Sequence, residues 1–110
     1  MAESTLHRGL TAERWNQFPI ERRLMMIASE FSRASQLVED DDGRDDAQRC
    51  YARARELLSW TVEWLRAQHD EPLMQRLVTI GREMDEVDFQ HWDARRLAEQ
   101  SQRMGHAVAA

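Results

Sequence analysis

The sequence predicts an all-α protein: an antiparallel up-and-down bundle of three long helices followed by a shorter C-terminal helix. Three observations carry that reading. The 110 residues include only 4 Gly and 2 Pro, too few for the turns of a multi-strand sandwich or barrel. Apolar residues recur at alternating intervals of three and four through three long segments, which lays them along one face of a helix. Short polar breaks separate those segments, one holding Gly43 and one Pro72, as expected of neighbouring antiparallel helices. A chain this long makes one domain. It buries roughly two-thirds of its unfolded surface, enough for a core without disulfides or metal.

The elements follow in order. Residues 1–10 have no apolar periodicity and read as a frayed arm. The stretch Thr11 to Gln17 is a short turn, with Trp15 and Phe18 as a lid over the first long helix. That helix starts near Pro19, where a missing N–H costs nothing. Its seam is Ile20, Leu24, Ile27, Phe31, Ala34 and Val38, spaced 4-3-4-3-4. Beside the seam, Ala28, Ser32 and Ser35 form a line of small residues that admits a close neighbour.

Glu39 to Asp46 reads EDDDGRDD and breaks the pattern. Its carboxylates repel one another into a solvated loop, and Asp45 or Asp46 is placed to cap the next helix. The second helix runs to about His69, with the seam Tyr51, Ala54, Leu58, Thr61 and Leu65 widened by Cys50, Leu57 and Trp64. Asp70-Glu71-Pro72 turns into a third helix, with Leu73, Leu77, Ile80, Met84 and Val87 on its seam and Met74 and Val78 beside it. Extended further, that seam reaches Ser101 and stops being apolar. A break is therefore expected near Asp88, which would cap a shorter fourth helix carrying Phe89, Trp92 and Leu97. One bent helix over 72–104 is the alternative. Residues 105–110 read as a frayed tail.

There are 20 acidic residues against 15 basic ones, every basic one an arginine, for a net charge of -5. With no lysine, Schiff-base and phosphate-loop lysine chemistry are excluded. An acidic balance is a poor start for a nucleic-acid binder. Yet Glu39 to Asp46 holds six carboxylates and one arginine, so the excess is that of one stretch and the remainder is balanced. Cys50 is alone and forms no internal disulfide, which favours a reducing cytoplasm. The first ten residues do not form a signal peptide, and no apolar run approaches the ~20 residues of a membrane helix. The expectation is a soluble cytoplasmic protein with no membrane partner.

Catalytic and metal chemistries of small helical bundles find no purchase. Carboxylate-bridged dimetal sites need paired Glu-x-x-His segments, and the nearest match is Asp88-x-x-His91, two ligands where a tight site needs three or four. Asp40-x-Asp42-Gly43 echoes a calcium loop, but its first and twelfth positions would be Val38 and Arg49, which cannot serve. Histidine phosphotransfer needs an exposed mid-helix His; His7 falls in the arm, His69 ends a helix and His106 falls in the tail. HEPN-type ribonucleases use an Arg followed four to six residues later by His, a spacing that Arg66 with His69 and Arg82 with His91 do not meet. No nucleophile elbow or glycine-rich phosphate loop is present. No catalytic residue, cofactor or metal is expected, and Cys50 is a small buried hydrophobe.

What remains is surface. Arg49, Arg53, Arg55 and Arg66 lie on the second helix and Arg95, Arg96 and Arg103 on the last. They are interleaved with Glu56, Glu63, Glu86, Asp93 and Glu99, the pattern of a solvated face. Trp60 lies off the seam and Trp92 follows the point where the apolar pattern shifts. Exposed, either would be an interface anchor; otherwise each packs on a neighbouring helix. Glu30 and Arg33, one turn apart, are placed to pair with each other or to reach Arg53 and Glu56.

Trp15-x-x-Phe18 followed by Met26-Ile27-Ala28-Ser29-Glu30-Phe31-Ser32-Arg33-Ala34 resembles a group of short prokaryotic helical-bundle proteins with no assigned activity. Tyr51 to Glu63, with its Arg-Ala-Arg-Glu-Leu-Leu stretch, is similar to a second block of that group. Arg82-Glu83 and Val87-Asp88-Phe89 match a third. The resemblance spans roughly residues 13–90; the acidic run and the polar tail depart from it. It implies a compact bundle in which Glu30, Arg33, Arg53, Glu56, Arg82 and Glu83 form one internal network or one shared surface. The functional expectation is a non-enzymatic protein acting through helix-face contacts, as a homodimer or with a protein partner, through Trp60, Trp92, Glu30, Arg33, Arg53 and Glu56. The alternative is an RNA-associated or HEPN-like accessory protein using the arginine faces.

Overall fold

The structure is a computed structural model that describes residues 9–39 and 42–109. Asp40, Asp41, Ala110 and the first eight residues of the expected arm lie outside the described residues. Among the described residues five helices follow one another: α1 (Ala12–Trp15), α2 (Ile20–Leu37), α3 (Arg44–Gln68), α4 (Glu71–Asp85) and α5 (Ala94–Ala109). The fold is all-α, with no strand among the described residues. None of these helices is long and apolar enough to cross a membrane. α2 packs against both α3 and α5, α4 lies on α3 and touches α5, and α1 rests on α3.

The core is built from the expected seams. Ile27, Phe31, Ala34 and Val38 of the first seam are buried, as are Tyr51, Ala54, Leu58, Thr61 and Leu65 of the second. Leu77, Ile80 and Met84 come from the third. Trp15 is not a lid. It is wholly buried, and its indole Nε1–H donates to Thr61 Oγ1 at 2.9 Å. Thr61 Oγ1 donates in turn to Leu57 O at 2.8 Å, so the hydroxyl in the second seam both accepts and donates. Leu10, assigned to a frayed arm, packs partly buried against this core.

The helix ends show where local chemistry differs from expectation. Thr11 caps α1 through Oγ1, which accepts from the Arg14 N–H, and Asp70 caps α4 by accepting from Leu73 N–H. The cap of α3 is Gly43, with Asp45 and Asp46 inside the first turn, where their charges favour the helix dipole. The acidic stretch is thus part loop, part helix. Gly43 is buried, and a Cβ there would lie 1.7 Å from Leu37 O. The glycine is required because the chain folds back onto the end of α2.

The break after α4 is present, but the fourth long helix is capped by Asp93, whose Oδ1 accepts from Arg96 N–H at 2.8 Å, and not by Asp88. Phe89 and Trp92 therefore lie in the connection between α4 and α5. α5 has 16 residues against 15 in α4, so the final helix is not the shorter one. It also continues through the stretch expected to fray, because Met104, Gly105 and Val108 are buried on its inner face. At Gly105 α5 comes close to α2: a Cβ would lie 3.3 Å from Phe31 Cβ and 3.5 Å from Ala28 O. The small-residue line on α2 admits this helix.

Candidate interaction surface

Both candidate tryptophans are half-buried and pack against the core, Trp60 from α3 and Trp92 from the α4–α5 connection. Neither stands out as a free anchor. Trp64 is also half-buried; the Arg23 guanidinium lies over its ring at 4.2 Å. Arg23 is itself 2% exposed. It donates to Asn16 Oδ1 at 2.9 Å, while its Nε has no partner. Burial holds its pKa below the ordinary arginine value.

The charged candidates do not gather in one place. Glu30 on α2 accepts from Arg53 Nε of α3 at 3.2 Å and lies 4.0 Å from Arg33. Glu30 is 16% exposed and Arg53 26%, so this pair is shielded enough to fix the register of α2 against α3. Glu56 is half-buried one turn beyond Arg53 on α3. Glu83 belongs elsewhere, accepting from Arg103 of α5 at 3.3 Å. Arg82 is exposed in a shallow groove between α3 and α4 that Arg55 also lines. The six residues are not one network.

The arginines of the possible basic faces are matched one by one. Arg49 pairs with Asp46, Arg55 with Asp85, Arg66 with Glu63, Arg95 with Glu99 and Arg96 with Asp93, all within 4.0 Å. Such exposed pairs contribute only about 0–1 kcal/mol each, but they cancel the field that would attract phosphate.

Reactive side chains are muted. Cys50 is buried, and burial, followed by the Glu30 charge, pushes its thiol pKa up, away from the thiolate a nucleophile needs. Tyr51 donates to Ser101 Oγ at 2.7 Å; it must be the donor, because the serine hydrogen goes to Leu97 O. Burial pushes the Tyr51 pKa up to about 12. Asp88 and His91 do meet, through His91 Nδ1 and Asp88 Oδ2. That hydrogen bond, with a second from Gln90 N–H, lowers the Asp88 pKa. Among the described residues no three or more His, Cys, Asp or Glu side chains gather as a metal-holding group. His106 is exposed on α5, not in a tail. The residues after it, Ala107 to Ala109, supply no basic neighbour of the kind phosphotransfer histidines have.

The surface feature that the sequence reading missed is on α2. Met25 is 66% exposed and Met26 38%, the large apolar side chains left outside among the described residues. Beside Met25 a groove of about 340 Å³ runs between α2 and α5, lined by Ala28, Ser29 and Ser32 on one side and Gly105 and His106 on the other. The signal was present: Leu24 to Ile27 is four consecutive apolar residues, and one face of a helix cannot bury all four.

Comparison with family models, curated proteins and solved structures finds no match to this chain.

Proposed function

We propose that this protein is a non-enzymatic cytoplasmic bundle, its helices running up and down, that acts by helix-face contact, first of all with a second copy of itself. The observation that carries the reading is the exposed Met25–Met26 pair beside a groove floored by small residues. Apolar surface rimmed by polar side chains is what an interaction site presents. Flexible methionine side chains fill irregular partner surfaces well. This moves the contact from Trp60 and Trp92, which serve the core, to α2. Glu30 and Arg53 then support that helix from behind, by setting its register on α3, while Arg33 stays on its exposed side. The resemblance to short prokaryotic bundle proteins fits this reading, since the Glu30–Arg53 pair joins two of its three sequence blocks. A buried lone cysteine suits the reducing cytoplasm.

The RNA-associated reading loses its support in the matched arginines of α3 and α5. Sedimentation equilibrium across a wide concentration range tests the self-association reading. The average mass should rise from the 13.0 kDa of one chain towards twice that value. A single-chain mass at every concentration, together with RNA binding that weakens steeply with salt, would favour the accessory reading instead.

A further inference from the structure

Resting on the self-association reading, we infer that two copies pair through α2 in antiparallel fashion, around a two-fold axis level with Ile27. One row of the helix carries the pairing. Glu21, Met25, Ser29 and Arg33 follow at intervals of four and all four are exposed, so they form a continuous ridge on the outer surface of α2. Met25 and Ser29 lie two residues on either side of Ile27, and Glu21 and Arg33 six residues on either side.

A two-fold contact is self-complementary, with residue i of one copy meeting residue j of the other and the reverse. Placed at Ile27, the axis sets each Met25 against the Ser29 of the second copy, an apolar knob against a small hollow. It also sets each Glu21 against the opposing Arg33, about 9 Å along the helix from the axis. Opposite charges thus close both ends of an uncharged centre.

Among the described residues neither charge is held closely. Glu21 has no ion pair among the described residues. Arg33 has only Glu30 at 4.0 Å, and Glu30 is held at 3.2 Å by Arg53. Two i±4 ridges laid side by side fit the commonest class of helix crossing. The small Ser29 on the ridge itself lets the second backbone approach, while Ala28 and Ser32 line the groove toward α5. One helix crossing is a small interface, so affinity on the order of micromolar is expected.

The test is sedimentation velocity on the full chain and four variants, each checked for native helicity by circular dichroism. Met25→Glu should abolish the dimer. Glu21→Arg and Arg33→Glu should each weaken it about tenfold, since both symmetry-related pairs go at once. Combined, the two changes should restore affinity to near the wild-type value. If a dimer forms but none of these variants alters it, the α2 interface is overturned while self-association stands. If the single changes weaken the dimer and the double does not recover, the antiparallel register is wrong. If the unaltered chain never dimerises, both readings fall.

Discussion

Thr61 sits in the middle of an apolar seam, yet it is wholly buried and receives the indole N–H of Trp15. Thr61→Val keeps the shape and removes the acceptor, leaving a buried N–H unpaired, which costs about 1–3 kcal/mol. Chemical denaturation should report that loss. Trp15→Phe in the Thr61→Val background should add less than it does alone, because the shared hydrogen bond is already gone. Tyr51 gives a second test. Its folded pKa, about 12, lies above the ordinary value of 10, so the folded state resists ionisation that the unfolded state accepts. Stability is therefore intact below pH 10 and falls as pH rises from 10 towards 12, by up to about 3 kcal/mol. Tyr51 is the only tyrosine, so tyrosinate absorbance reads it directly and should titrate near pH 12. Tyr51→Phe should flatten the alkaline decline. A midpoint near 10 in the native protein would contradict the buried hydroxyl.

At the scale of elements, α2, α3 and α4 were legible because their seams are strongly apolar and their ends carry Pro19, Gly43, His69 and Pro72. α5 was not. Its inner face holds Ser101 and Gly105 among Leu97, Ala98, Met104 and Val108, and both were read as the end of a pattern. In the structure Ser101 is satisfied by Tyr51 and Leu97, while Gly105 is where α5 meets α2. Tertiary partners that sequence spacing cannot show make a polar and a glycine position part of the core. The same limit hid Asp93 as the cap of α5. Gly43 was legible as a break, but its reason was not: any side chain there meets the carbonyl of Leu37. Gly43→Ala should lower the thermal midpoint markedly, by an amount equivalent to at least about 2 kcal/mol, because backbone and not a flexible side chain must move. A variant as stable as wild type would mean the turn between α2 and α3 takes another path.

Taken whole, the molecule has its charge excess in the acidic stretch that links α2 to α3 and opens α3, and its apolar excess on the outer face of α2. The net charge of -5 is carried by Glu39 to Asp46. Elsewhere arginines and carboxylates match across helices, as Arg53 with Glu30 and Arg103 with Glu83. Such matching orders a bundle and leaves little field for a polyanion. The candidate surface was only half legible: Glu30, Arg33 and Arg53 were found as a group, while the methionines were hidden by the general rule that apolar residues on a seam-bearing helix go inside. On the proposed reading, this outer face of α2 is where one copy meets another. Sedimentation equilibrium of the wild type and Met25→Glu, side by side over the same concentrations, tests it most directly. The wild type should approach twice 13.0 kDa while the variant stays at the single-chain mass. A wild type that never leaves the single-chain mass, or a variant that dimerises equally well, would contradict it.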